Sequence, residues 1–179
     1  DGFFKMNEVT LKYKKYDGNW SNAVKRELFG GAQVSALLPY DPENKKIVLI
    51  QQFRPGTISS DGENYLDEIV AGMIDPGETP EDTAKRECLE ETGCKVNNLR
   101  SIQGYFPAPG SSESFYNLFL GEVNAPSSEI IRGLDNENED ILVKSYSFDE
   151  VRVKMEKKKI LNGLTLIALQ WFFLNIYKI

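Results

Sequence analysis

Apolar and polar residues change their spacing several times along the chain, and each change marks an element. In "FFKMNEVTLKYKKYDGNW" (3–20) they alternate, the period of a half-buried strand, and Asp17-Gly18 supplies a turn. The stretch therefore predicts an N-terminal hairpin. "AQVSALLPYD" and "KKIVLIQQFRP" are apolar runs separated by "PEN", which predicts two strands and a turn. "NYLDEIVAGMIDPGE" (64–78) reads as one buried strand running into a turn that carries proline and glycine. "LRSIQGYFPAPGSSES" is a strand followed by a Pro/Gly/Ser loop, and "SFYNLFLGEV" is a further strand. "APSSEIIRGLDNENED" (125–140) reads as a long polar loop, and long loops of this kind often carry function. After the strand "ILVKSYSF" comes a basic helix near 149–159. The C-terminal "GLTLIALQWFFLNIYKI" is too short for a membrane span and is interrupted by Thr165, Gln170 and Asn175, so it predicts a core helix.

The clearest helix lies in "GETPEDTAKRECLEETG" (77–93). Thr79 is a natural N-cap, and Pro80 falls at the first helical position, where its missing N–H costs nothing. Glu81 and Asp82 suit the positive end of the helix dipole. Gly93 suits the left-handed residue that ends a helix. A helix from about 80 to 92 follows. At 100° per residue, Glu87, Glu90 and Glu91 fall within an arc of about 100°. Such like charges destabilise an isolated helix by roughly 0.2–0.5 kcal/mol per pair. A solvated acidic face is the plain reading of an acidic helix. Beside a turn that brings backbone up to the helix, the same cluster suits a hard divalent cation, which takes several oxygens from a rigid element and a loop.

Composition narrows the chemistry. A chain of 179 residues fits one domain with a full core. The net charge of −6 argues against nonspecific nucleic-acid binding and suits a cation-dependent site. The two cysteines, Cys88 and Cys94, lie on the helix and just past its end, a poor disulfide framework. With no signal peptide in the sequence, a cytoplasmic, reducing setting is expected. There is no histidine, which removes Ser-His-Asp triads, Cys-His pairs and histidine zinc sites. A general base must then be a carboxylate, a lysine, a tyrosine or a metal-activated water.

These residues carry a resemblance. Gly72, Glu78, Arg86-Glu87, Cys88, Glu90-Glu91, Gly93 and Cys94 match every fixed position of the Nudix box, G-x5-E-x7-R-E-U-x-E-E-x-G-U, with cysteine at both bulky apolar positions. The chain as a whole resembles the ADP-ribose pyrophosphatase branch of the Nudix hydrolases. The match runs through "FGGAQVSALLPYDPENKKIVLIQQFRPG", "YFPAPGSSE", "GLDNENEDI" and "LIALQWFFL". The resemblance implies an α/β (α+β) fold, the Nudix α/β/α sandwich around a mixed sheet. It also implies a homodimer that exchanges an N-terminal β arm, here 1–31, followed by a hydrolase domain at 32–179. The implied reaction is hydrolysis of ADP-ribose to AMP and ribose 5-phosphate with Mg²⁺, or alternatively Mn²⁺. No nucleic-acid or membrane partner is implied. Another nucleoside diphosphate derivative, such as a GDP-sugar, or a non-catalytic ADP-ribose sensor are the alternatives. The intact box glutamates weigh against the sensor.

The resemblance also assigns roles. Glu87, Glu90, Glu91, Glu139 and the carbonyl of Ala71 match metal ligands. Glu137 matches the general base, on a loop expected to be mobile, and Arg86 is expected to pair with Glu78. Phe3 matches an aromatic that stacks on adenine, and Arg26 and Arg54 match substrate contacts. One departure stands out. The family's loop glutamate falls five residues after the loop proline, which is Ser114 here, while the glutamate sits one earlier at Glu113.

Overall fold

The computed structural model describes residues 5–59, 64–134 and 139–177. The N-terminal alternation forms the expected hairpin. Strand β1 (Met6–Leu11) pairs antiparallel with β2 (Val24–Phe29), Met6 facing Phe29 and Leu11 facing Val24. Asp17 shapes the tip, its Oδ1 accepting from the Asn19 N–H at 2.9 Å, as turn aspartates do. The hairpin is a two-stranded sheet of its own.

The remaining strands form one eight-stranded mixed sheet. Strands β3 (Gln33–Asp41) and β4 (Lys46–Phe53) are the two expected apolar runs. They pair directly only beside their turn, Tyr40 with Ile47 and Asp41 with Lys46. Farther along they part, and residues 65–73 fill the gap. The single strand expected there is two. Strand β5 (Tyr65–Glu68) pairs with β4, and β6 (Val70–Met73) pairs with β3. The chain changes neighbours at Ile69 because each apolar run has an unpaired edge beyond the turn. Helix α1 (Pro80–Thr92) follows, then β7 (Leu99–Tyr105) and β8 (Phe115–Glu122), with β8 running parallel to β3.

The segment read as a long loop contains a short strand, β9 (Ile130–Arg132), which pairs with the edge of β10 (Ile141–Ser147). Two β-branched residues beside a free edge outweigh the polar composition around them. Helix α2 (Phe148–Glu156) is shorter than expected at its C-terminal end, because Lys158 adopts a φ of 55° and the chain leaves the helix there. Helix α3 (Gly163–Asn175) is the expected apolar C-terminal helix. No helix among the described residues is long and apolar enough to cross a membrane.

Both faces of the central strands are buried, which explains why they read as unbroken apolar runs. Ala36, Leu38, Ile47, Leu49, Leu118 and Leu120 pack with Phe148 and Val151 of α2 and with Ala168, Leu169 and Phe172 of α3. Their alternates Leu37, Val48, Ile50, Val70 and Phe119 pack with Ala84 and Cys88 of α1 on the other face. The result is an α/β/α sandwich in which, among the described residues, α1 covers one side and α2 and α3 the other. Cys88 and Cys94 are buried and free.

Candidate active site

Helix α1 is set in place from both ends. Thr79 Oγ1 accepts from the Asp82 N–H at 3.1 Å, Pro80 opens the first turn, and Gly93 closes the helix at a φ of 73° with its N–H on the Leu89 carbonyl. Ser35 of β3, fully buried, donates to the Pro80 carbonyl at 2.6 Å and pins the start of the helix to the sheet. The turn before the helix is tied back by Arg86. Its Nε donates to Glu78 Oε1 and its Nη2 to Glu78 Oε2, both at 2.9 Å. The expected pair is therefore a bidentate fork, and the guanidinium with the Thr83 hydroxyl brings the Glu78 carboxyl down to about 2. The same guanidinium's Nη1 donates to Glu87 at 2.7 Å and to Glu90 at 3.0 Å. One cation thus holds three of the box carboxylates.

Glu91 is different. It is 3% exposed, and among the described residues its carboxylate has no ion-pair partner. Its hydrogen-bond donor is the Ala71 N–H at 3.3 Å. Burial raises its pKa well above the usual carboxylate range, and the charges of Glu87 and Glu139 raise it further. Burial also raises Glu87, against the pull of Arg86. A buried carboxylate without a compensating cation is costly in a folded protein. The donor set therefore fits a hard divalent ion.

A cleft of about 460 Å³ brings Ala71, Glu87, Glu90, Glu91 and Glu139 together with Arg86 and Asp75. Glu139 Oε2 accepts from the Leu134 N–H at 3.2 Å. No three carboxylates among the described residues already converge on one point as metal ligands, because Arg86 draws Glu87 and Glu90 toward itself. Gly72 lies directly under the Glu87 carboxylate, where a Cβ would overlap it. The box glycine is thus a matter of close approach. A Gly72→Ala variant should lose about tenfold to a hundredfold in kcat, the usual cost of a misplacement near 1 Å, with a small change in Tm. Steady-state kinetics beside a thermal melt would check this.

Ala71, Gly72 and Met73 also line a second cavity of about 850 Å³, so the two spaces share a wall. Its lining includes Arg54, Glu68, Ser114, Tyr116 and Asn162. Arg54 grips the buried Glu68 through Nε and Nη2, the shorter contact 2.6 Å. Of the predicted contacts, Arg54 lies at the cavity. Arg26 does not. It sits on exposed β2, where its Nη1 donates to the Lys25 carbonyl. Ser114, at the position where a glutamate was expected, lines the cavity, while Glu113 accepts from Asn7 Nδ2 at 3.5 Å on the hairpin. Phe3 and Glu137 lie outside the described residues. Glu68 and Asn162 were missed by sequence reasoning. Asn162-Gly163 before an apolar run signals a helix N-cap, but nothing local connects it to a carboxylate 94 positions away.

This fold, with a helix carrying Glu87, Glu90 and Glu91 against a glycine-bearing strand, defines a class. The NUDIX domain family matches residues 31–164, and the chain belongs to that family. It is 36% identical over 174 residues to the ADP-ribose pyrophosphatase of Escherichia coli (strain K12), covering 97% of this chain and 83% of that protein. It is 38% identical over 178 residues to the ADP-ribose pyrophosphatase of Haemophilus influenzae, covering 98% and 82%. A GDP-mannose pyrophosphatase of Cronobacter sakazakii is 30% identical over 171 residues, covering 95% and 88%.

Proposed function

We propose that the protein is an ADP-ribose pyrophosphatase that uses Mg²⁺, with Mn²⁺ as an alternative, to cleave its substrate to AMP and ribose 5-phosphate. The observation that carries this reading is Glu91, a buried carboxylate with no ion-pair partner among the described residues, in a cleft sharing a wall with a cavity of nucleoside size. Glu87, Glu90, Glu91, Glu139 and the Ala71 carbonyl would hold the metal. In an extended strand a residue's N–H and C=O point to the same edge. The Ala71 N–H on Glu91 therefore supports a carbonyl facing the same cleft. The bound ion would neutralise diphosphate oxygens and acidify the attacking water.

The protein's own groups would do the rest. Arg86 keeps Glu78 and the turn in register with the helix. Arg54 contacts the substrate from the cavity wall, and Phe3 stacks on the base. Water forms a new P–O bond as the bridging P–O bond breaks, and Glu137 accepts the water's proton. The larger cavity is mostly apolar and its arginine is already paired with Glu68, which suits an uncharged ribosyl or nucleoside group.

A panel of nucleoside diphosphate derivatives assayed with Mg²⁺ tests the substrate. ADP-ribose should give the highest kcat/KM, at least about tenfold above GDP-mannose, or about 1.4 kcal/mol of discrimination. Equal or faster cleavage of GDP-mannose would favour the second reading, which the Cronobacter relative motivates.

We infer that the arm, 1–31, is exchanged in a homodimer, so that Arg26 serves the partner's site. The hairpin's separation from the main sheet and its exposed Met6, Tyr13, Tyr16 and Trp20 support this. Light scattering should give a dimer at micromolar concentration, and a fully active monomer would sink the idea. The two free buried thiols favour a cytoplasmic setting.

A further inference from the structure

We propose that Asn162, which caps helix α3, also positions Arg54 for substrate by holding Glu68. The inference rests on the reading above that Arg54 meets the substrate. Glu68 ends β5 and is 3% exposed, so its charge and lone pairs must be met inside the protein. Arg54 meets part of that need, donating through Nε at 3.1 and 3.0 Å and through Nη2 at 2.6 Å. Nη1 is left as the one guanidinium nitrogen that Glu68 does not take. The side chain is still 42% exposed and lines the large cavity. It is therefore a tethered cation at a ligand-sized wall.

The tether has a third member. Asn162 Nδ2 donates to Glu68 Oε1 at 3.0 Å. Its Oδ1 accepts from the Thr165 N–H at 2.9 Å and from the Thr165 hydroxyl at 3.1 Å. Because a backbone N–H can only donate, the amide oxygen must face the helix and the amide nitrogen must face Glu68. Serine or aspartate would cap the helix about as well. Neither would place a donor on Glu68: serine is too short, and an ionised aspartate has no N–H to give. The residue found is the one that performs both tasks. Thr165 extends the same link, since its Oγ1 accepts from the Ile69 N–H at 3.0 Å, where the chain crosses from β4 to β3. Ala71, in the carboxylate cleft, lies two residues on. The start of α3 therefore fixes both the arginine and the strand that leads to Glu91.

The test uses Asn162→Ser, which keeps a cap and removes the donor, beside Asn162→Asp, which adds a second carboxylate against Glu68. In Asn162→Ser the KM for ADP-ribose should rise about tenfold, the scale of one lost bond to a charged group. The kcat should stay within about twofold, and the Tm should fall modestly, because the buried Glu68 loses one donor while the helix keeps its cap. Asn162→Asp should raise KM further. In an Arg54→Ala background Asn162→Ser should have no additional effect, since residues acting through one another are non-additive. The Arg54 Nε–H resonance, read by NMR without substrate, should exchange with water faster in Asn162→Ser. Unchanged KM, or a further KM rise in the Arg54→Ala background, would overturn the proposal. If the wild-type protein cleaved no ADP-ribose, the proposed function would fail while the Arg54 resonance still decided the positioning. Unchanged exchange would then overturn it.

Discussion

Glu91→Gln should lower kcat by roughly 10²–10³-fold at saturating Mg²⁺ and yet raise the Tm of the metal-free protein. The first effect follows from the worth of a metal-assisted site, several kcal/mol of transition-state stabilisation. A glutamine keeps the shape but offers a neutral oxygen in place of a charged one. The second effect follows from burial. Glu91 is buried beside Glu87 and Glu139, and its one donor among the described residues is a backbone N–H at 3.3 Å. Its pKa is therefore higher folded than unfolded, and the folded state binds the extra proton. Stability from this group is fully present below the unfolded value of about 4.3 and falls as pH rises through that value toward the folded one. Glutamine removes that slope. In the presence of a chelator, the variant should melt above wild type at pH 7–8, and the difference should close near pH 4. Near wild-type kcat with added Mg²⁺ would remove Glu91 from the metal site.

The opposite signs matter because they separate a ligand from a structural residue. A carboxylate that served the fold would lose stability when neutralised, as Glu78 should, since Arg86 lowers its pKa to about 2. Its contribution is present above the unfolded value and lost as pH falls toward the folded one. The box thus holds two kinds of glutamate. One stabilises the turn at neutral pH, and the other is held in an unfavourable state that a bound cation would relieve.

Local patterns foretold the elements that local physics decides. Thr79, Pro80 and Gly93 set the ends of α1, and the apolar runs of β3 and β4 gave strands buried on both faces. The box spacing brought Glu87, Glu90 and Glu91 to one cleft. What stayed hidden was set by distant partners. Nothing between 64 and 78 shows that β5 and β6 pair with different strands, because the division comes from β3 and β4 parting. Nor does "EIIRG" show that an edge of β10 awaits it. Asn162 and Glu68 meet across 94 positions through a helix start and a strand end, each ordinary in its own neighbourhood. Ser114 lines the cavity where a glutamate was expected, and the Glu113–Asn7 contact depends on the hairpin crossing that loop.

The largest expected loss of turnover lies at Glu137. With no histidine in the chain, the proton from water must go to another group, and carboxylates are the plentiful choice at this site. The four box glutamates are committed, Glu78, Glu87 and Glu90 to Arg86 and Glu91 to its burial against Ala71. Glu139 lines the cleft and accepts from the Leu134 N–H. Glu137 precedes it by two residues in the sequence. In the proposed reaction a base from this segment would take the water's proton without itself being a helix ligand. Glu137→Gln should therefore lower kcat by roughly 10²–10⁴-fold, the usual worth of a general base, with little change in KM. Glu139→Gln should instead raise the Mg²⁺ concentration needed for half-maximal rate. Steady-state kinetics of both variants across a Mg²⁺ titration separates the roles. Retention of more than about a tenth of wild-type kcat in Glu137→Gln, a loss under about 1.4 kcal/mol, would pass the base to Glu139 or Glu113.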